Sequence, residues 1–268
     1  MGEPRDPGTS FNLCNLPPWA IASREFAADP RPIEVQGVRG GNRFLFEMLD
    51  GLADPDERAR RFDSFVTVKF QLHQWQREAT DSARRSLKNS YLRFLRGWGV
   101  DSSSVEGAVL KGWVESRMGL PPTWHRGRID GPDSEAYQGY AADRVRGHAR
   151  TNAIDSQLDL LYTFTQYELG RRSPGERWLT LWRGVHDVQE HEVLERTGRR
   201  DWLVRMNNLS SFTQDRERAW EFGSTVFEAR VPVPRVFFAS ELLPHSILKG
   251  EREVLVVGGE LRVKVLAA

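Results

Sequence analysis

Gly250-Glu251-Arg252-Glu253-Val254-Leu255-Val256-Val257 sets two carboxylates two residues apart at the entrance of a β-branched apolar run. Such a run favours a strand, whose side chains alternate between faces with a period of two. Glu251 and Glu253 therefore project from one face, and Arg252 and Val254 from the other. Two like charges that close raise one another's pKa and need cations or hydrogen-bond donors to stay ionised together. The pair suits a site that must hold a positive transition state or a cationic nucleophile. The bland alternative is the solvated face of an edge strand.

Working outward, the chain from Arg171-Arg172-Ser173-Pro174-Gly175 onward carries short β-type runs at residues 178–182, 224–231, 235–239, 253–257 and 261–266. The last two flank Gly258-Gly259-Glu260, which reads as a hairpin turn. Upstream the pattern is helical. Over residues 54–98, Trp75, Ala79, Ala83, Leu87, Tyr91, Phe94 and Leu95 recur at steps of three or four, the stripe of one amphipathic helix ended by Gly97 and Gly99. A second helix covers 105–118 and stops at Gly119-Leu120-Pro121-Pro122; residues 123–133 read as a loop. A further helical region spans 134–169, with Ile154, Leu158, Leu161, Thr165 and Leu169 as its stripe. Helices first and strands afterwards indicate an α+β protein. The expected division is a disordered polar tail at 1–10, a mainly helical region at 11–172 packing on the core, and a β-rich core at 173–268, together one continuous globular unit.

Composition narrows the function. Lys plus Arg number 38 against 37 Asp plus Glu, a net charge of +1, so no polyelectrolyte character points to nucleic acid. A single cysteine, Cys14, excludes an internal disulfide and a cysteine-based zinc site. The polar start and the lack of any apolar stretch of spanning length give the expectation of a cytoplasmic protein. Gly37-Val38-Arg39-Gly40-Gly41-Asn42 precedes a helix at 44–52 with Asn42 placed to cap it, but the turn lacks G-x-G-x-x-G spacing and reads as an ordinary turn. His186 and His191 bracket an acidic segment without metal spacing and read as surface residues.

Two more polar features sit at strand edges. In Leu181-Trp182-Arg183-Gly184-Val185 a rigid five-donor fork, suited to phosphate, precedes a glycine whose backbone can approach a ligand closely. In Leu209-Ser210-Ser211-Phe212-Thr213-Gln214-Asp215 small hydroxyls end an extended segment, where they can hold a carboxylate ionised and oriented. Thr213 or Asp215 can also cap the short helix that follows, closed by Gly223.

Arg, then Ser-x-Thr, then Glu-x-Glu, in that order, resembles the R-S-E class of mono-ADP-ribosyltransferases. Over nearly its whole length the chain, with its run Phe11-Asn12-Leu13-Cys14-Asn15-Leu16-Pro17-Pro18-Trp19, resembles the dinitrogenase reductase ADP-ribosyltransferase family. The resemblance implies a mainly antiparallel split β-sandwich, NAD as ADP-ribose donor, an arginine of the nitrogenase iron protein as acceptor and a PII-type nitrogen-signalling protein as regulator. It implies Arg183, Gly184, Ser211, Phe212 and Thr213 as the NAD-binding set, with Ser211 positioning catalytic Glu253. Glu251 would hold the incoming guanidinium and help remove its proton, while residues 240–249 would meet the acceptor protein. A non-catalytic NAD- or partner-binding module and an NAD glycohydrolase share the same donor site and stand as alternatives.

Overall fold

The computed structural model describes residues 12–72, 90–149, 153–186, 191–243 and 252–267. Helices α1 (Pro18–Ala22), α2 (Arg24–Ala28), α3 (Val38–Gly41), α4 (Arg43–Asp50), α5 (Pro55–Lys69), α6 (Tyr91–Val100), α7 (Val105–Met118), α8 (Glu135–His148) and α9 (Ile154–Arg172) come first. Strands β1 (Trp178–Val185), β2 (Glu192–Arg196), β3 (Asp201–Thr213), β4 (Thr225–Pro232), β5 (Val236–Ala239) and β6 (Glu253–Ala267) follow, with α10 (Arg216–Ala219) between β3 and β4. The order is that of the expected α+β chain.

Several helices start where a side chain satisfies a terminal backbone group. Asp54 accepts from the Asp56 amide with Pro55 at the first position of α5, Ser90 accepts from Leu92 to open α6, and Ser104 accepts from Gly107 to open α7. Gly119, at φ 71°, ends α7 in the left-handed conformation. The whole predicted stripe of α9 is buried.

All the strand pairings are antiparallel, and β3 and β6 form the spine. They pair along most of their length, from Asp201↔Lys264 to Thr213↔Glu253. On its outer edge β3 pairs first with β2 and then, at Thr213, with Trp182 of β1. The outer edge of β6 pairs first with β5 and then with β4. Because β4 also pairs with β1, strands β3, β1, β4 and β6 close on themselves into a small barrel-like sheet. Alternation along the spine serves two cores. Val204, Met206, Phe212, Val254, Val256, Leu261 and Val263 enter the core within the sheet. Leu209, Leu255 and Val257 face the helices and pack in the second core with residues such as Phe94, Trp98, Trp113 and Phe164.

Several expectations are corrected. Residues 258–260 make no hairpin: β6 runs unbroken through them as one 15-residue strand. The two glycines are needed at a bulge, where β3 and β6 shift register between Met206 and Leu209. A Cβ on Gly258 would lie 1.9 Å from the Asn207 carbonyl oxygen, and Gly259 sits at φ 117° against Ala22. The helical pattern over 54–98 is not one helix in the described residues, because α5 ends at Lys69, Gln71 takes φ 56°, and α6 starts afresh at Ser90. Trp75, Ala79, Ala83 and Leu87 lie outside the described residues, as does the tail at 1–10. Gly97 and Gly99 do not end α6, which continues to Val100. The 134–169 region is two helices separated at Ala153, which has φ 54°. Asn42 precedes α4 without capping it; its amide donates back to the Val38 carbonyl.

Buried charges lock the helical layer. Glu168 of α9 is fully buried and accepts from Arg58 Nε and Nη2 of α5 at 2.5 and 3.0 Å and from Arg172 Nε at 3.2 Å, while Arg58 Nη1 donates to the Leu52 and Ala53 carbonyls. Removing one member leaves the other charge stranded in low dielectric, which costs about 3 kcal/mol or more. Glu168→Ala is therefore expected to lower unfolding free energy by about that amount in urea titrations, and a loss below about 1 kcal/mol would show the pair to be dispensable.

Candidate active site

Glu253 opens β6 opposite Thr213 of β3, and Leu255 lies opposite Ser211. Cross-strand partners share a face, so Ser211, Thr213 and Glu253 all project on the side that meets the helical layer. Glu253 is only 6% exposed there. A carboxylate so placed needs a donor. Ser211 provides one, its Oγ lying 2.6 Å from Glu253 Oε1. On its other side the same Oγ lies 2.8 Å from Trp98 Nε1 of α6. An indole nitrogen can only donate, so the serine oxygen accepts from Trp98 and sends its own proton to the acid.

Arg183 reaches this pair because Trp182 of β1 pairs with Thr213. Its Nη1 donates to the Ser211 carbonyl at 2.8 Å, and its Nε lies 3.5 Å from His191 Nε2. The expected surface position of His191 is wrong: the ring is 5% exposed and packs 5.6 Å from Phe227. Burial first, and then the Arg183 charge, press its pKa down to about 3. The imidazole is therefore neutral at working pH, and its Nε2 lone pair faces the guanidinium. His186, by contrast, is exposed as expected.

Gly184 is required by packing. A Cβ there would stand 2.1 Å from the Ala219 carbonyl oxygen and 2.8 Å from Phe222, because α10 and the 3-10 turn Trp220–Phe222 fold down onto β1. That fold-down begins as the hydroxyl and acid spacing predicts: Thr213 Oγ1 accepts from the Asp215 amide, and Asp215 caps α10 through the Glu217 and Arg218 amides.

A cavity of about 270 Å³ lies over these groups. Its walls hold Arg183, Gly184, Ser211, Phe212, Thr213 and Glu253, all the predicted site residues except Glu251, which lies outside the described residues. The Phe212 ring also belongs to the core within the sheet. Trp98, residues 99–102, Trp182, Val185, His186 and Phe222 complete the lining and are not predicted as site residues from sequence, where His186 reads as a surface residue. Trp98 stands between two glycines in Gly97-Trp98-Gly99, a signal that reads more readily as a helix stop. His191 had no sequence signal beyond its distance from Arg183 along the chain.

The volume is near the lower bound of small-molecule sites, and the Arg183 guanidinium stands on its wall. A larger cavity of about 650 Å³, between residues 30–40, α9 and the Val233-Pro234 turn, contains none of these groups. Among the described residues no cluster of three or more His, Cys, Asp or Glu could hold a metal ion, and no helix is long and apolar enough to cross a membrane.

The sequence profile of dinitrogenase reductase ADP-ribosyltransferase (DRAT) matches residues 11–265. The NAD(+)--dinitrogen-reductase ADP-D-ribosyltransferase of Rhodospirillum rubrum is 45% identical over 269 residues, covering 98% of each chain. No solved structure matches the chain. With the profile spanning almost the whole sequence and the relative aligning end to end, the chain belongs to the dinitrogenase reductase ADP-ribosyltransferase family.

Proposed function

We propose that this protein transfers ADP-ribose from NAD to an arginine of dinitrogenase reductase and so switches nitrogen fixation off. Family membership and the activity named for the R. rubrum relative support the donor and the acceptor protein. The observation that carries the chemistry is the single hydrogen-bonded cluster of Arg183, Ser211 and Glu253, drawn from three strands to one cavity. The barrel-like sheet, in which β3 and β6 each change partners halfway along, is the split sandwich of the ADP-ribosyltransferase type on this reading. A cytoplasmic setting and control by a PII-type protein belong to the same proposal.

In the reaction, the bond between the ribose anomeric carbon and the nicotinamide nitrogen breaks, and nicotinamide leaves with the electron pair. Positive charge builds on the ribose. Glu253, held by Ser211 in a partly dry wall, stabilises that charge, and Arg183 binds the diphosphate. A guanidinium nitrogen of the acceptor then forms the new bond to the anomeric carbon and gives up a proton. Glu251, two residues before Glu253 in sequence, orients that guanidinium and assists the proton's removal. His191 keeps the Arg183 fork turned toward the cavity without competing for its charge.

Labelled NAD and dinitrogenase reductase, with label located by mass spectrometry, test the whole reading. Wild type is expected to label one arginine. Glu253→Gln is expected to lower both NAD cleavage and transfer by roughly 10³-fold. Glu251→Gln should lose transfer yet keep NAD cleavage, and equal loss of both would defeat the division of roles. Nicotinamide release without protein label would turn the assignment to a glycohydrolase; intact NAD binding with neither activity would turn it to a binding module.

His191 supplies a pH test. Its folded pKa lies below the unfolded value, so its contribution is complete above about pH 6.5 and is lost as pH falls toward 3. Over that window the unfolded chain carries one more proton, and stability should fall by about 1.4 kcal/mol per pH unit from this group. His191→Gln should flatten the stability profile by one proton between those limits in urea melts, and an unchanged slope would place the ring in water.

A further inference from the structure

We infer that Trp98 is a positioning residue of the transfer reaction: its indole N–H fixes the Ser211 hydroxyl so that the serine proton stays on Glu253. The inference rests on the reading of Glu253 as the catalytic acid.

A serine hydroxyl is a rotor with one proton and two lone pairs. Left alone it can turn its proton to any acceptor within reach. The Trp98 N–H, 2.8 Å from Ser211 Oγ, occupies a lone pair and leaves the proton directed at Glu253 Oε1, 2.6 Å away. The chain of donors runs one way because its first member cannot accept. Each link also strengthens the next, since an oxygen that accepts a hydrogen bond becomes a better donor.

The indole is placed to do this with little freedom. Trp98 is 3% exposed and lies in α6, between the Ser90 cap and the turn at residues 101–104. The Lys111 ammonium sits 5.9 Å from the indole centroid, and Lys111, fully buried in α7, donates to the Trp124 carbonyl at 2.9 Å. A cation over the ring face is attracted by its π density and leaves the N–H edge more positive. The helical half of the chain thus reaches into the catalytic hydrogen bond, which a simple packing role for Trp98 does not require.

A packing role and a positioning role separate in a double-mutant cycle. Trp98→Phe keeps the apolar bulk and removes the donor. With NAD and dinitrogenase reductase as substrates, Trp98→Phe is expected to lower kcat roughly ten-fold while KM for NAD stays within about two-fold. Ser211→Ala should cost more, and adding Trp98→Phe to it should cost nothing further, because the donor then has no hydroxyl to direct. Additive losses, or a rise in KM with kcat unchanged, would overturn the inference. Should Trp98→Phe fail to fold, site-specific benzothienylalanine at position 98 keeps the bicyclic shape with sulfur in place of N–H, and the same cycle applies. Glu253→Gln run alongside tells the two levels apart. If it stays active, the assignment of the acid fails; if it is dead while the cycle is additive, the role of Trp98 alone fails.

Discussion

The pairing of β3 with β6 is the constraint on which the rest of the molecule depends. Around Ser211 and Glu253 both strands are covered on both faces, so there each one-residue step moves a side chain from one core to the other. Phe212 and Val254 must enter the core within the sheet; Leu255 must lie under the helices. Once those are placed, Ser211, Thr213 and Glu253 have no choice of face. A slip of one residue would turn the acid into the sheet core and Ser211 away from Trp98. The bulge at residues 206–209 and the glycines opposite it let the two strands bend around this point without losing that register.

Charged groups within the fold are held by different means. Glu168 is held between two guanidinium groups. Arg235 donates to the carbonyls of Ile21, Ser23 and Glu260, with no carboxylate in contact among the described residues, stitching α1 and α2 to the sheet. Burial lowers its pKa to about 9, which leaves it cationic at neutral pH. Arg183 leans on a backbone carbonyl and a neutral histidine. The last arrangement stands on the wall of the cavity that also holds Ser211 and Glu253.

The helical half is therefore part of the site as well as its support. α9 carries Gln166, whose amide donates to the Val233 and Val236 carbonyls at β5, and α6 brings Trp98 to Ser211. A sheet alone would leave Glu253 facing water, where hydrogen bonds to it would be weaker and its charge screened.

The amino-acid sequence by itself determined the α+β order, the helix at 105–118, the buried stripe of α9 and the strands expected at 178–182 and 224–231, and it proposed the candidate set Arg183, Ser211 and Glu253. Those features rest on local periodicity, on capping and on short motifs, all of which act within a few residues. Tertiary structure decided the rest. Gly258-Gly259 satisfies a hairpin turn and a bulge equally well, and only the presence of β3 alongside selects the bulge. His191 reads as a surface residue until Phe227 covers it. Gly97-Trp98-Gly99 reads as a helix stop until the fold carries the indole across 113 residues of sequence to Ser211. Contacts of that kind depend on which surfaces meet, and no local pattern encodes them.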